Sequence, residues 1–172
     1  MIELIVAHDK NYGIGKDGDL PWPPLENDMK WVRDFTKDKV LIMGSTTWDS
    51  LPLKPLPNRI NIVLSSKDKM NSKKQPNSII NPNESIQYIL NTLEYVYPTK
   101  TICIFGGAKV YDKFSSFVNT FYVTEIDHDF DCDTHLSQNT ISNIQKCNNI
   151  NYLNTFTDND IMYTIKEYSK KV

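Results

Sequence analysis

Much of what would mark a specialised protein is scarce in this chain. Its 172 residues hold three cysteines, Cys103, Cys132 and Cys147, too few and too scattered for a disulfide framework. None forms a CxxC pair, and Cys103, inside an apolar run, reads as a small buried hydrophobe rather than a reactive thiol. No charge dominates, because 19 Lys+Arg face 21 Asp+Glu. A nucleic-acid binder would normally show a strong basic excess, so no nucleic-acid partner is expected. No apolar run approaches the roughly 18 residues of a membrane span, so no membrane partner is expected either. The opening residues, Met1 to Asp9, carry charges where a secretory signal needs its apolar core, and a cytoplasmic location is the expectation. No metal is expected. His8, His128 and His135 lack ligand spacing, and Asp127, Asp129, Asp131 and Asp133 have neither the spacing nor the glycine of an EF-hand. A G-x-S-x-G elbow, a P-loop and a Cys/His nucleophile pair are all missing, which leaves no covalent catalyst. Arginine is nearly missing too: Arg33 and Arg59 are the only two.

What is present is a globular composition, 40% hydrophobic and 23% charged, at a length that predicts one domain over residues 1–172. Apolar runs of strand length occur at Ile2 to His8, Val40 to Met43, Arg59 to Leu64, Thr101 to Phe105 and Thr120 to Ile126. Helical spacing occurs at Asn27 to Phe35, through Met29, Val32 and Phe35, and at Ser85 to Leu93, through Ile86, Ile89, Leu90 and Leu93. Shorter helices are predicted at Ser45 to Leu51 and at Ala108 to about Phe114. Lys67 to Asn77 is polar and breaker-rich and reads as a surface loop. Two last runs, Tyr152 to Phe156 and Ile161 to Tyr168, flank Thr157-Asp-Asn-Asp160 as an antiparallel hairpin would. Strands alternate with helices until strands follow strands. The pattern predicts an α/β fold: a mostly parallel central sheet flanked by helices, with an antiparallel C-terminal hairpin at its edge.

Five places could carry chemistry, the first three with a plainer reading beside them. The loop Asn11-Tyr-Gly-Ile-Gly-Lys-Asp-Gly-Asp-Leu-Pro-Trp22 is either a lid over a ligand at the end of the first strand or a surface loop anchored by a buried Trp22. Asp28, in the first turn of a helix, is either a cap for that helix or a carboxylate facing an apolar pocket. In the second case desolvation raises its pKa, and its two oxygens can grip a planar nitrogen heterocycle. Phe105-Gly-Gly-Ala-Lys-Val-Tyr111 is a strand, a Gly-Gly step and a helix start, suited to a pyrophosphate or simply a tight turn. It lacks the G-x-G-x-x-G fingerprint. Gly44-Ser-Thr-Thr47 and Leu64-Ser-Ser-Lys67 are further strand ends, and three such loops would line one crevice of the sheet.

In order and spacing these stretches resemble the dihydrofolate reductase family. The resemblance runs through Ile5-Val-Ala7, Gly13 to Trp22, Asp28, Ile42-Met-Gly44 with Thr47-Trp-Asp-Ser50, Pro55-Leu-Pro-Asn-Arg59, Leu64-Ser-Ser66, Phe105-Gly-Gly107 with Val110-Tyr111, Tyr122-Val-Thr124 and Asp133-Thr-His135. It implies NADPH-dependent reduction of 7,8-dihydrofolate to tetrahydrofolate, supplying one-carbon metabolism and thymidylate synthesis. It also implies susceptibility to antifolate inhibitors, and a monomer is expected. By resemblance, Asp28, Trp22, Thr124 and Tyr111 carry catalysis. Ile5, Val6, Ala7, Asp28, Met29, Val32, Leu51, Leu56, Arg59, Phe105 and Thr124 would hold substrate. Arg59 would pair with its α-carboxylate, a task suited to a guanidinium. The cofactor would fall to Ala7, Gly13, Ile14, Gly15, Asp17, Gly18, Asp19 and Leu20, then Gly44, Ser45, Thr46 and Thr47. Leu64, Ser65, Ser66 and Lys67 would join them, with Gly106, Gly107, Ala108, Lys109, Val110 and Tyr111. The Gly106–Gly107 peptide matches one that is cis in the family.

Three departures stand out. Ser45 replaces an arginine that many members place near the cofactor phosphates, leaving Lys67, Lys109 and the helix N-termini to compensate. Pro23-Pro24 lengthens the junction before Asp28. Asn58 replaces a common glycine in the turn before Arg59, a position Asn tolerates well. A pterin or pyrimidine reductase of the same fold should lack the combination of Pro21-Trp22, Asp28 and Arg59. A folate-binding or structural protein without catalysis would be separated by hydride-transfer activity.

Overall fold

The first apolar run forms β1 (Ile2–His8), a strand that lies between two parallel neighbours and is buried along almost its whole length. In the computed structural model, which describes residues 1–170, there follow β2 (Gly13–Gly15), α1 (Glu26–Thr36), β3 (Val40–Gly44), α2 (Ser45–Ser50), β4 (Ile60–Leu64), β5 (Ser78–Ile80) and α3 (Ile86–Val96). Then come β6 (Ile102–Gly106), α4 (Ala108–Phe114), a 3-10 turn (Ser115–Phe117), β7 (Thr120–Ile126), β8 (Thr134–His135), α5 (Gln138–Gln145), β9 (Asn149–Asp158) and β10 (Ile161–Ser169). The last two residues of the expected 1–172 unit lie outside the described residues. The main sheet has the order β5-β4-β3-β6-β1-β7-β10-β9. Its strands run parallel from β5 to β7, and the C-terminal hairpin closes it antiparallel. This is the α/β arrangement the strand–helix alternation predicts.

Strand alternation sends neighbouring side chains to opposite faces. On one face Leu4, Val6, Ile42, Ile104 and Val123 pack against α3 through Ile89, Leu90 and Leu93, against α4 through Val110 and Phe114, and against α5 through Ile141 and Ile144. On the other face Ile5, Met43, Val63 and Cys103 pack against the fully buried Trp48 of α2 and against Trp31, Val32 and Phe35 of α1. Lys39 ties the lower end of this second layer together. Its Nζ is 2.8 Å from the buried Glu3 carboxylate and 3.3 Å above the Phe35 ring. Met29, which the helical spacing groups with Val32 and Phe35, lies off the packed stripe and is 55% exposed.

The elements that the sequence pattern misses are short or polar. β2 and β8 exist through pairing with each other, Gly13 opposite His135 and Gly15 opposite Thr134. α5 offers only Ile141 and Ile144 to the core, and its clearest local signal is the Ser137 cap, whose hydroxyl accepts from the Thr140 N–H at 3.1 Å. β9 is an edge strand, so its outward side chains carry no alternating apolar signal and it runs beyond Tyr152 to Phe156 at both ends. The hairpin turn places Asn159 and Asp160 in left-handed geometry, the conformation a two-residue connection requires. The polar loop from Lys67 to Asn77 is less superficial than its composition implies. Met70 is buried against Trp48, whose Nε1 donates to Ser72 Oγ at 3.2 Å.

The loop after β1 is fixed by a carboxylate. Asp9 is 1% exposed and accepts from the N–H groups of Asn11 (2.9 Å), Gly13 (2.8 Å) and Phe130 (3.0 Å), while the Cys132 thiol donates to it at 3.3 Å. A side chain at Gly13 has no room, because its Cβ would fall 2.4 Å from Cys132 Sγ and 2.9 Å from Asp9 Oδ1. Gly13→Ala is therefore expected to destabilise the protein by about 1–3 kcal/mol in denaturant unfolding, the usual range for overpacking a filled site. Unchanged stability would show that the contact between these two loops yields freely.

Candidate active site

The carboxyl ends of the parallel strands β4, β3, β6 and β1 lie side by side, so the loops that follow them meet on one rim. That rim collects Leu64 to Lys67, Gly44 to Thr47, Gly106 to Tyr111 and Ala7. Gly44 pairs with Leu64, and Met43 with Gly106. A Cβ at Gly44 would meet Val110 Cγ2 at 3.3 Å, and one at Gly107 would meet Thr47 Oγ1 at 3.6 Å. Neither Gly44 nor Gly107 brings a side-chain cap to α2 or α4. The Gly106–Gly107 peptide is cis, and Gly106 has a φ of +120°, a conformation that favours glycine.

Beside this rim, α1 presents Asp28 to the sheet. Its carboxyl group is 8% exposed and accepts a 2.6 Å hydrogen bond from the hydroxyl of Thr124 on β7. Thr124 is the register partner of Ala7, so Asp28 stands over the C-terminal end of β1. No salt bridge joins Asp28 to a cation among the described residues. The helix is capped at Leu25 without a side-chain hydrogen bond, which removes the plain capping role from Asp28. Trp22, 8% exposed, packs edge-on against Phe130 in the cluster that holds Leu25, Tyr163 and Ile165. Ile5, Val32, Leu51, Leu56 and Phe105 belong to one apolar cluster on this face. Val6 sends its side chain into the core of the other face, so only its main chain is open to the crevice.

Two groups are set in advance. The buried Tyr111 hydroxyl lies 2.8 Å from the Ile5 carbonyl oxygen and 3.1 Å from that of Phe105, sharing one proton between them. Burial keeps it a neutral phenol by raising its pKa. Arg59 spans the turn before β4 and the end of α1. It donates to Thr36 Oγ1 at 3.1 Å, to the Pro57 carbonyl at 2.6 Å and to the Arg33 carbonyl at 2.5 Å. Asn58, just before it, sits at φ 59°, the left-handed geometry its residue type tolerates.

A carboxylate buried without a cation beside a glycine-walled rim is an uncommon pairing, and comparison with known proteins gives it a family. The model of a family described as dihydrofolate reductase matches residues 1–170. The chain belongs to this family. It is 38% identical to the dihydrofolate reductase of Buchnera aphidicola over 80% of this chain and 79% of that one. Against that of Bacillus subtilis the identity is 34%, over 83% and 79%. Against the viral dihydrofolate reductase of Saimiriine herpesvirus 2 it is 35%, over all of this chain and 86% of the relative.

The family's cofactor, NADPH, fits the residues present. The rim has glycines where a pyrophosphate must come close and two helix starts free of side-chain caps, and Lys67 and Lys109 stand exposed nearby. The loop Gly13 to Asp19 is a small hairpin. Lys16 and Asp19 exchange backbone hydrogen bonds at 3.0 Å, Asp17 and Gly18 turn the corner with positive φ, and Leu20 beyond it is 62% exposed. It is held from outside, since the Asp17 N–H donates to Asp133 Oδ2 at 2.9 Å and the Asp133 N–H to the Gly15 carbonyl at 3.0 Å. Reading the sequence as motifs missed Asp9, which organises this loop. Asp133 entered the reading through the Asp133-Thr-His135 stretch of the resemblance, with no role given to its carboxylate. A groove of about 610 Å³ with a mixed lining, including His8, Glu125, Lys166, Tyr168, Ile141 and Ile144, opens on the opposite face of the sheet and takes no part in this constellation.

Electrostatics separate the two buried aspartates. Burial alone would raise the pKa of Asp9, but its three backbone N–H donors outweigh it and hold the carboxyl below its ordinary value. Asp28 is raised, by burial first, with the Thr124 hydrogen bond opposing and the charge of Asp158 adding. Folded Asp28 thus binds its proton more tightly than unfolded Asp28. Its ionisation is neutral for stability below the ordinary value of 3.8, destabilises progressively above it, and has its full effect once the pH passes the folded pKa. Asp28→Asn is therefore expected to raise Tm at pH 7 relative to the parent, with the difference closing in acid. Equal Tm values throughout would mean that the buried carboxylate carries no desolvation penalty.

Proposed function

We infer that this chain works as a dihydrofolate reductase, reducing 7,8-dihydrofolate to 5,6,7,8-tetrahydrofolate for one-carbon metabolism and thymidylate synthesis. The observation that carries the reading is Asp28: a buried carboxylate with no cation, bonded to Thr124, beside a rim open to a dinucleotide. NADPH, when bound, supplies the hydride that reaches C6 of the substrate. The chain's own residues bind, orient and manage the proton that goes to N5.

Asp28 grips the amide and amino edge of the pteridine with its two oxygens and favours protonation through an ordered water that Trp22 helps to place. A raised pKa suits this work, because the carboxyl group keeps its proton to higher pH than an exposed aspartate would. Thr124 fixes one oxygen of the carboxyl group. Tyr111 orients the Ile5 and Phe105 carbonyls, each of which keeps a lone pair for the pteridine. Val6 and Ala7 contribute main chain, while Met29, Val32, Leu51 and Leu56 line the channel for the rest of the substrate. Arg59 takes the α-carboxylate. Its present bonds use three of five N–H donors, leaving one on each terminal nitrogen for a two-point contact. Ala7, Gly13, Ile14, Gly15, Asp17, Gly18, Asp19 and Leu20 close on the cofactor from one side. Gly44 to Thr47, Leu64 to Lys67 and Gly106 to Tyr111 hold it from the strand ends. The protein acts as one domain and a monomer in the cytoplasm, with no nucleic-acid or membrane partner. The balanced charge speaks against a nucleic-acid partner, and no described helix is long and apolar enough to cross a membrane.

The direct test is loss of NADPH absorbance on adding dihydrofolate, with NADH run in parallel. Oxidation that requires dihydrofolate is expected; its absence in folded protein overturns the reading. Asp28→Asn should lower turnover at pH 7 by about 100-fold or more, the scale of losing a positioned proton donor. Arg59→Lys keeps a charge but loses the fork. It should raise KM for dihydrofolate by about 10-fold or more and leave KM for NADPH unchanged. A rise confined to NADPH would move Arg59 to the cofactor side.

A further inference from the structure

The helix that carries Asp28 does not finish its own N-terminus. Leu25 stands at the cap position with no side-chain hydrogen bond, so the first-turn N–H groups need partners from elsewhere. They find them on the C-terminal hairpin, more than a hundred residues away. The Asn27 N–H donates to Asp158 Oδ2 at 3.1 Å, and Asn27 Nδ2 donates to Asp158 Oδ1 at 2.9 Å. The Asp28 N–H donates to the hydroxyl of Tyr163 at 3.0 Å, and that hydroxyl in turn donates to Asp158. Asn159, in the hairpin turn, donates to the Pro24 carbonyl at 2.7 Å. Tyr163 is fully buried and its ring packs against Phe156, so the hydroxyl has little freedom to leave.

We propose that Asp158 and Tyr163 are positioning residues for Asp28, capping the first turn of α1 from the C-terminal hairpin and thereby fixing where the Asp28 carboxyl group stands. The inference rests on the proton-handling role given to Asp28 above. The cap is anionic, which suits the partial positive charge of a helix N-terminus. It also places a second carboxylate close to Asp28, which favours the protonated form of that group. The other groups facing Asp28 carry no opposing charge: Thr124 from β7 and Tyr163 from β10 are neutral donors and acceptors. Glu125, next to Thr124 on β7, points to the opposite face and is engaged by Lys166 and Tyr168. Glu26, Lys30 and Arg33 on α1 itself are exposed. Asp158 is thus both the cap and the neighbouring charge.

The variant that separates these roles is Asp158→Asn, which keeps an oxygen for the Asn27 N–H and removes the charge. The readout is the titration of the Asp28 carboxyl carbon by NMR in the ligand-free protein, alongside the pH profile of kcat. The titration is expected to move to lower pH by about half a unit at low ionic strength, and by less in high salt, because Asp158 lies at the surface. The fall of kcat with rising pH should move with it. An unmoved titration overturns the role of Asp158 as the charge that neighbours Asp28, even if the variant is less stable. A titration that moves while the kcat profile stays leaves the proposal standing and removes Asp28 from the rate-limiting proton step. Tyr163→Phe tests the anchor itself. The Asp28 amide is expected to exchange with solvent about 10-fold faster, with amides in the last turn of α1 unchanged. Unchanged exchange at Asp28 overturns the positioning role of Tyr163.

Discussion

Keeping one carboxylate out of water with no cation beside it is the demand around which this molecule is arranged. Such a group is costly to bury, and the usual remedy, a salt bridge, would hold it ionised and lower its proton affinity. The fold answers with neutral or distant partners. Thr124 supplies a single hydrogen bond from the sheet, the helix N-terminus supplies its dipole, and the hairpin supplies groups that bond the backbone rather than the carboxyl itself. The result is a side chain held firmly in place with its proton affinity still open to tuning.

Asp9 shows the opposite solution to the same problem, at the residue that follows β1. It too is buried, yet three backbone N–H donors surround it and keep it ionised. One aspartate is a fixed anion that shapes a loop; the other is an adjustable acid. The Cys132 thiol beside Asp9 follows its neighbour, pushed up to about 12 by burial and then by the hydrogen bond to that anion, so it remains a donor and not a nucleophile. Environment, more than residue type, decides what each carboxylate does.

The sequence made the scaffold legible where the signal is local. Apolar runs gave the parallel strands except the three-residue β5, helical spacing gave α1 and α3, and the strand-end glycines pointed to the rim that the order of strands then assembled. Asp28 could be singled out as a residue, but on local sequence a helix cap was the favoured reading until the hydrogen bond to Thr124 and the bare Leu25 cap spoke for a pocket acid. What stayed hidden is what depends on distant partners. Asp9 looks like any loop aspartate until Phe130 and Cys132 arrive from the other end of the chain. β2 and β8 are too short to announce themselves singly, and α5 is mostly polar. Val6 and Met29 show the limit of motif reading: a matched position gives the residue but not the direction of its side chain.

The hairpin cap also orders events in time. Residues 27 and 28 are among the first to leave a ribosome, and the groups that bond their backbone, Asp158 and Tyr163, are among the last. Much of the parallel sheet can assemble from the strands already made, because β5 through β6 and β1 through β7 precede the hairpin in the chain. The start of α1 cannot be secured until β9 and β10 are in place, so the acid receives its final setting only when synthesis is nearly complete. A nascent chain is in this sense structured before its buried Asp28 carboxyl group is locked in place.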